Sequence, residues 1–391
     1  MSALDLITAE EIAEQQATAF PALRVVSVAE EADEAEAPVL RAEQAIEQHD
    51  YAAALVALEQ LHLSLDFPEL ALRALFAESW ARMSLGQLDP AVAVLERARA
   101  LAERPCFGDV ERADALYRLG CCRLGLSQVA NAISLFTVAL ELCERSPRPS
   151  DLLRARILEW RSRCYQLQRE FAAARADVER ALELAEASGD ERMVAQVYFQ
   201  ASVVAEREGQ WLVARLYAEE SLERCERLGD RENAHRVLNN LGGINFLLGD
   251  REQAVDSLKA AFRIALELES DVGAGYSLNS LAQIQLRSGE HAEAERHARK
   301  ALELLAGRDD HLSELGNTQL VLGRALLEQG RHEEAERSLL AADASFERLG
   351  SVSHRAAVWV AQGDLAAGRG DSDAAAERYR SAAEALQDFH F

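Results

Sequence analysis

Asparagine and arginine are the side chains of this sequence best suited to recognition chemistry. Asn239 and Asn240 stand between Leu238 and Leu241, and Asn279 follows 40 residues after Asn239 in the similar setting Leu278-Asn279-Ser280-Leu281. A carboxamide carries a donor and an acceptor together, so a column of them can hold the N–H and C=O groups of a peptide backbone without reading its sequence. Arg156, Arg163, Arg236 and Arg324 add forked donors that match carboxylates. Gln196, Gln200, Gln283 and Asn317 supply further amides, and Trp160, Phe199 and Tyr276 supply aromatic surface near them. The chemistry this set can perform is binding, with an acidic peptide or a free C-terminal carboxylate as the expected ligand type.

Catalytic constellations are a poorer reading of the same chain. It has no GxSxG elbow, HExxH pair or phosphate-binding loop, and Gly273-Ala274-Gly275 is a lone GxG. The nine histidines are scattered, with His291 and His297 six apart, and the six cysteines form no CxxC pair. No catalytic residue, cofactor or metal ligand is therefore expected. Arg369-Gly370-Asp371 mimics an adhesion tripeptide but falls at an ordinary inter-helix turn. A formal charge of -24 argues against direct nucleic-acid binding, which needs clustered Lys and Arg in excess. Acidic residues Asp5, Glu10, Glu11 and Glu14 replace the apolar core of a secretion signal, and no 18-residue apolar run occurs, so a cytoplasmic protein that leaves membranes alone is expected.

The elements that must position these groups are helices. Ala, Leu, Glu and Arg dominate, and only seven prolines interrupt 391 residues. One small residue recurs as Ala54, Ala91, Ala132, Ala174, Ala214, Ala254, Ala294, Ala335 and Ala375, at intervals of 37 to 42. A filler of any bulk follows four residues on and usually a second small residue seven on, the spacing of one helix face. Five residues before most of these alanines stands a turn glycine, such as Gly209, Gly249 or Gly330, suited to a left-handed helix end. Twelve residues before them come Leu-Gly-like pairs: Leu119-Gly120, Leu241-Gly242, Leu281-Ala282 and Leu322-Gly323. Each unit thus reads as a helix A, a turn, and a helix B packed through alanine, and nine antiparallel pairs result.

This pattern resembles the tetratricopeptide repeat family, whose unit is a helical hairpin with Leu-Gly in helix A and Ala, aromatic and Ala in helix B. The resemblance covers roughly residues 37–391 and is clearest around Ala132, Ala254 and Ala335. The repeats run near 40 residues rather than the usual ~34, the closing proline is mostly missing, and the repeat at Arg161-Ser162 lacks Leu-Gly. A generic helical bundle, or a HEAT or armadillo solenoid, is the competing architecture, and the alanine register argues against it. The resemblance implies an all-α, right-handed superhelical solenoid whose A helices line a concave groove for an extended or helical peptide. On that register Arg156, Arg163, Gln196, Gln200, Arg236, Asn239, Asn240, Tyr276, Asn279, Gln283, Asn317 and Arg324 point inward. The asparagine segments are similar to those of kinesin light chains and bacterial peptide-pheromone receptors, where groove asparagines hold the ligand backbone. The plainer alternative is that these side chains solvate an empty face or bond neighbouring helix ends.

Residues 1–36 read as an acidic, largely disordered tail, with a short helix over Thr8–Gln16, an extended Phe20–Val26 and an acidic run from Glu30 to Glu36. The end at Phe389-His390-Phe391 follows the ninth helix B directly, which leaves a last face for a partner or a second copy. The leading expectation is a non-catalytic bacterial adaptor or scaffold. A sensory or signalling regulator whose output domain is missing or lies on another chain is the alternative.

Overall fold

The protein, seen in a computed structural model, is described over residues 28–59, 67–307 and 311–387. The expected helix at Thr8–Gln16, the extended Phe20–Val26 and the terminus Phe389–Phe391 lie outside the described residues. Among those described there are eighteen α-helices and no strand.

Two compact units divide the chain between Leu126 and Ser127. Unit 1 holds α1 (Val28–Glu47), α2 (Tyr51–Glu59), α3 (Pro68–Ser84), α4 (Leu88–Ala102) and α5 (Asp109–Gly125). Helix α1 begins at Val28, so the acidic run expected to be tail is helical instead. Ala and Glu are strong helix formers, and Arg73 of α3 anchors the segment by donating to Glu36 at 3.0 Å and Glu43 at 2.8 Å.

Unit 2 holds α6 (Val129–Arg145) and then six helix pairs: α7 (Asp151–Leu167) with α8 (Phe171–Ser188), α9 (Glu191–Arg207) with α10 (Trp211–Leu228), and α11 (Arg231–Leu247) with α12 (Arg251–Glu267). These are followed by α13 (Asp271–Arg287) with α14 (His291–Leu304), α15 (Leu312–Glu328) with α16 (His332–Arg348), and α17 (Val352–Gly368) with α18 (Ser372–Gln387). Each hairpin packs on the next, as in a solenoid.

Local chemistry explains where these helices start and stop. The A helices α7, α9, α11 and α13 are capped by Ser150, Asp190, Asp230 and Ser270, whose side chains accept the backbone N–H three residues on. The position five residues before each signature alanine is left-handed in all nine repeats, including the three without glycine, His49, Ser127 and Arg169. The turn geometry is thus set by the hairpin, and glycine only makes it cheaper.

Packing in unit 2 runs through the small residues. Ala174, Ala214, Ala254, Ala294 and Ala335 are fully buried. The filler four residues after the alanine presses on the small residue of the Leu-Gly pair. A Cβ on Gly242 would lie 2.5 Å from Leu258 Cγ, one on Gly323 would lie 2.7 Å from Leu339 Cδ2, and one on Gly363 would lie 2.5 Å from Tyr379 Cε1. Where the filler shrinks to Ala298, the opposing residue is Ala282, and both sit in one buried cluster. The largest fillers on helix B thus face glycine on helix A, and the close-packed interior repeats along the unit.

Candidate functional site

The twelve predicted recognition residues lie on helices α7, α9, α11, α13 and α15, all in unit 2. Counted back from each signature alanine, they fall in four columns. Eighteen residues before it stand Arg156, Gln196 and Arg236, which are exposed, with Tyr276 and Asn317 half-buried. Eleven residues before it stand Arg163, Gln283 and Arg324, half-buried. A seven-residue separation keeps these two columns on one helix face. Between them run Asn239 and Asn279 in one column and Gln200 and Asn240 in the other, closer to the neighbouring A helices.

One end of this face is built on two arginines stacked on aromatic rings. The Arg163 guanidinium lies 4.7 Å from the Trp160 ring centre, and that of Arg236 lies 5.1 Å from the Phe199 ring centre. Arg163 donates from Nε to Glu159 Oε1 at 2.7 Å, and Glu159 is only 2 % exposed. Arg236 donates to Asn233 Oδ1 at 3.0 Å. Its pKa is lowered first by desolvation and then by the positive charge of Arg163, against the pull of Glu159, Glu232 and Asp230. Arg236 remains open to solvent although the protein around it desolvates its guanidinium. Arg163, paired with Glu159, and Arg236 repel each other, and a carboxylate brought to them would relieve that repulsion.

The amides divide into two groups. Gln200, 3 % exposed, donates to Ser162 Oγ at 2.9 Å and Gln166 Oε1 at 3.2 Å, tying α9 to α7. Asn240 donates to Glu206 Oε2 at 3.1 Å and accepts from Ser202 Oγ at 3.1 Å, tying α11 to α9. These two are spent on neighbouring helices. Asn239 and Asn279 are different, because the Oδ1 atom of each is buried and accepts no hydrogen bond. Asn279 Nδ2 donates to Glu314 Oε1 at 2.5 Å. Burial pushes the Glu314 carboxyl up to about 7, partly opposed by that bond. A buried carbonyl-type oxygen without a donor is costly unless a ligand supplies one.

The other end of the face opens into a cavity of about 410 Å³ lined by Gln283, Asn317 and Arg324 together with Leu286, Leu320 and His291. Tyr276 lies between the two ends, with its hydroxyl 3.4 Å from His311 Nδ1. Among the described residues no group of three His, Cys, Asp or Glu could hold a metal ion. The thiols of Cys122 and Cys164 are buried and raised to about 12, which makes them inert packing groups. No helix of the described residues is long and apolar enough to cross a membrane.

Reading the residues alone missed Glu159, Glu314 and the leucine wall of the cavity. Glu159 stands in the same column as Asn239 and Asn279, exactly eighty and one hundred and twenty residues before them, so the repeat period pointed to it. Glu314 and the leucines carry no such signal, since a charged residue and a leucine are each ordinary on a helix.

The sequence pattern of the tetratricopeptide repeat matches residues 233–306 and again 316–341. No curated protein matches the sequence. Among solved structures, a Rap protein complexed with competence and sporulation factor superposes with a TM-score of 0.64 at 16 % identity, covering 91 % of this chain and 96 % of that one. Aspartyl phosphate phosphatase F from Bacillus subtilis gives 0.59 at 14 %, covering 94 % and 96 %. The apo form of RapI gives 0.56 at 13 %, covering 71 % and 98 %. At such identities the likeness is one of fold.

Proposed function

Since the chain belongs to the tetratricopeptide-repeat family, we propose that it is a non-catalytic adaptor whose A-helix face in unit 2 holds an extended peptide or a peptide segment of a partner protein. The observation that carries this reading is the pair of buried, unpartnered Oδ1 atoms on Asn239 and Asn279, one repeat apart on successive A helices. Backbone N–H groups of an extended strand would satisfy both without regard to its sequence. The Arg163 and Arg236 guanidiniums then select an acidic side chain or a terminal carboxylate, and the stacked Trp160 and Phe199 hold them in place. Glu314, whose carboxyl pKa is raised by burial, is engaged by Asn279 and takes no chemical step in this reading.

The Rap protein of the same fold was solved with competence and sporulation factor, a precedent for a ligand on this architecture. That precedent also favours a second reading, in which ligand occupancy here controls an output protein on another chain. Both readings place the protein in the cytoplasm and use the same residues.

The test is affinity capture of partners by wild-type protein beside an Asn239→Ala, Asn279→Ala, Arg236→Ala variant, followed by titration of peptides from the captured partner. Loss of each asparagine is expected to weaken binding about tenfold, as for a hydrogen bond whose partner is left unsatisfied. A partner held equally by both proteins would place recognition elsewhere and end the proposal.

A further inference from the structure

We propose that the cavity between α13, α15 and α17 is a binding site for a monocarboxylate carried on a short apolar body. It shares a face with the peptide site but does not rest on that reading, because none of Asn239, Asn279 or Arg236 lines it.

The Nε of Arg324 is buried and has no hydrogen-bond partner. The arginine–acid pairs four residues apart in this protein mostly have the acid before the arginine, as in Glu295–Arg299 and Glu78–Arg82, and at Arg324 that position is Leu320. Among the described residues no ion pair joins Arg324 to Glu328, four residues after it. The guanidinium is therefore a forked donor held at a cavity wall with no acid at the usual intrahelical position. His291, at the start of α14, adds a second buried nitrogen without a partner, its Nδ1, on the same lining.

The rest of the wall defines what accompanies the charge. Leu286, Leu320, Val321 and Leu327 form an apolar side. A cavity of about 410 Å³ accepts a carboxylic acid with a branched or linear chain of several carbons, within the range of small-ligand pockets. The lining also contains Arg287, which stacks on Phe246 at 5.9 Å, and the acids Glu328 and Asp364, the latter accepting the Tyr379 hydroxyl at 2.8 Å. Two cations and two acids sum to zero, so an added anion is held through the forked donors of Arg324 and not by net charge. A monoanion meets less repulsion from Glu328 and Asp364 than a dianion such as phosphate. Carboxylates of this kind have two sources, free organic acids and the last residue of a peptide.

Isothermal titration of the full chain with hexanoate, N-acetyl-leucine, N-acetyl-leucinamide and inorganic phosphate tests the assignment. Hexanoate or N-acetyl-leucine is expected to bind while the neutral amide and phosphate do not, and the tighter of the two acids identifies the source. Arg324→Met, checked for native helicity by circular dichroism, should weaken binding at least about tenfold, the effect of removing a charged hydrogen-bond donor. Asn239→Ala should leave acid binding unchanged while weakening the peptide, which separates the two proposals. Equal binding of the amide and the acid, preference for phosphate, an Arg324→Met variant that binds as well as wild type, or no binding of any probe would each overturn the assignment.

Discussion

The pairing of glycine on helix A with a bulky filler on helix B makes a prediction with a sign. In Gly242→Ala the new Cβ would fall 2.5 Å from Leu258 Cγ and 2.6 Å from its Cδ2, and Leu258 is fully buried. Overpacking of this severity costs about 3 kcal/mol, while removing a helical glycine returns about 1 kcal/mol, for a net loss near 2 kcal/mol. Leu258→Ala alone should cost about 2–5 kcal/mol through its cavity. In the Leu258→Ala background the added methyl meets no leucine, so Gly242→Ala should stabilise by about 1 kcal/mol, giving a coupling of roughly 3 kcal/mol. Gly243→Ala is the control, because its Cβ would meet nothing within 4 Å, and it should stabilise on its own. Urea titration by far-UV circular dichroism, with hydrogen exchange of α11 and α12 amides, reads the effect locally, which matters because repeat arrays need not unfold in one step. Additivity within about 0.5 kcal/mol would refute the reasoning. So would a Gly242→Ala protein as stable as the Gly243→Ala one.

Two further outcomes follow from charges in unit 2. Asp177, 7 % exposed, accepts two bonds of 2.8 Å from Arg161, which also donates to Thr137 at 3.1 Å. Asp177→Ala strands a largely desolvated guanidinium and should cost about 3 kcal/mol, whereas Arg215→Ala, which breaks its surface pairs with Asp250 and Glu219, should cost no more than about 0.5 kcal/mol in the same denaturation assay. Glu314 has a folded pKa of about 7, above its ordinary 4.5, so the folded state keeps a proton that the unfolded chain releases. Its contribution is intact below pH 4.5 and is lost as pH rises through about 7. Glu314→Gln should therefore match wild type near pH 4 and exceed it near pH 8, by up to about 3 kcal/mol, in thermal melts at the two pH values.

How far the sequence could be read depended on whether a feature repeats. The signature alanines, the left-handed turns and the capping Ser and Asp recur every forty residues or so because each hairpin must solve the same packing problem, and their helices lie where the spacing put them. The first helix was misread because Glu30–Glu36 has the composition of a solvated tail; what holds it in α1 is in part a contact with Arg73, 37 residues beyond Glu36. No local pattern announces such a contact.

The proposed recognition face was half legible for a geometric reason. On an A helix, adjacent residues differ by about 100°, so Asn239 and Asn240 cannot share an environment, although they are chemically identical. Asn240 turns toward α9 and finds Ser202 and Glu206, while Asn239 keeps a buried oxygen unpaired. The same division separates Gln200, committed to Ser162 and Gln166, from Arg236, which stacks on Phe199. Amides in the inner column hold the A helices together, and that fixed frame is what allows Asn239 and Asn279 to remain unsatisfied. A flexible face would let each asparagine swing to a local partner; a rigid one leaves the oxygen unpaired, as the proposed peptide contact requires. Cutting the Gln200 ladder should on this reasoning weaken peptide binding without touching any residue that meets the peptide.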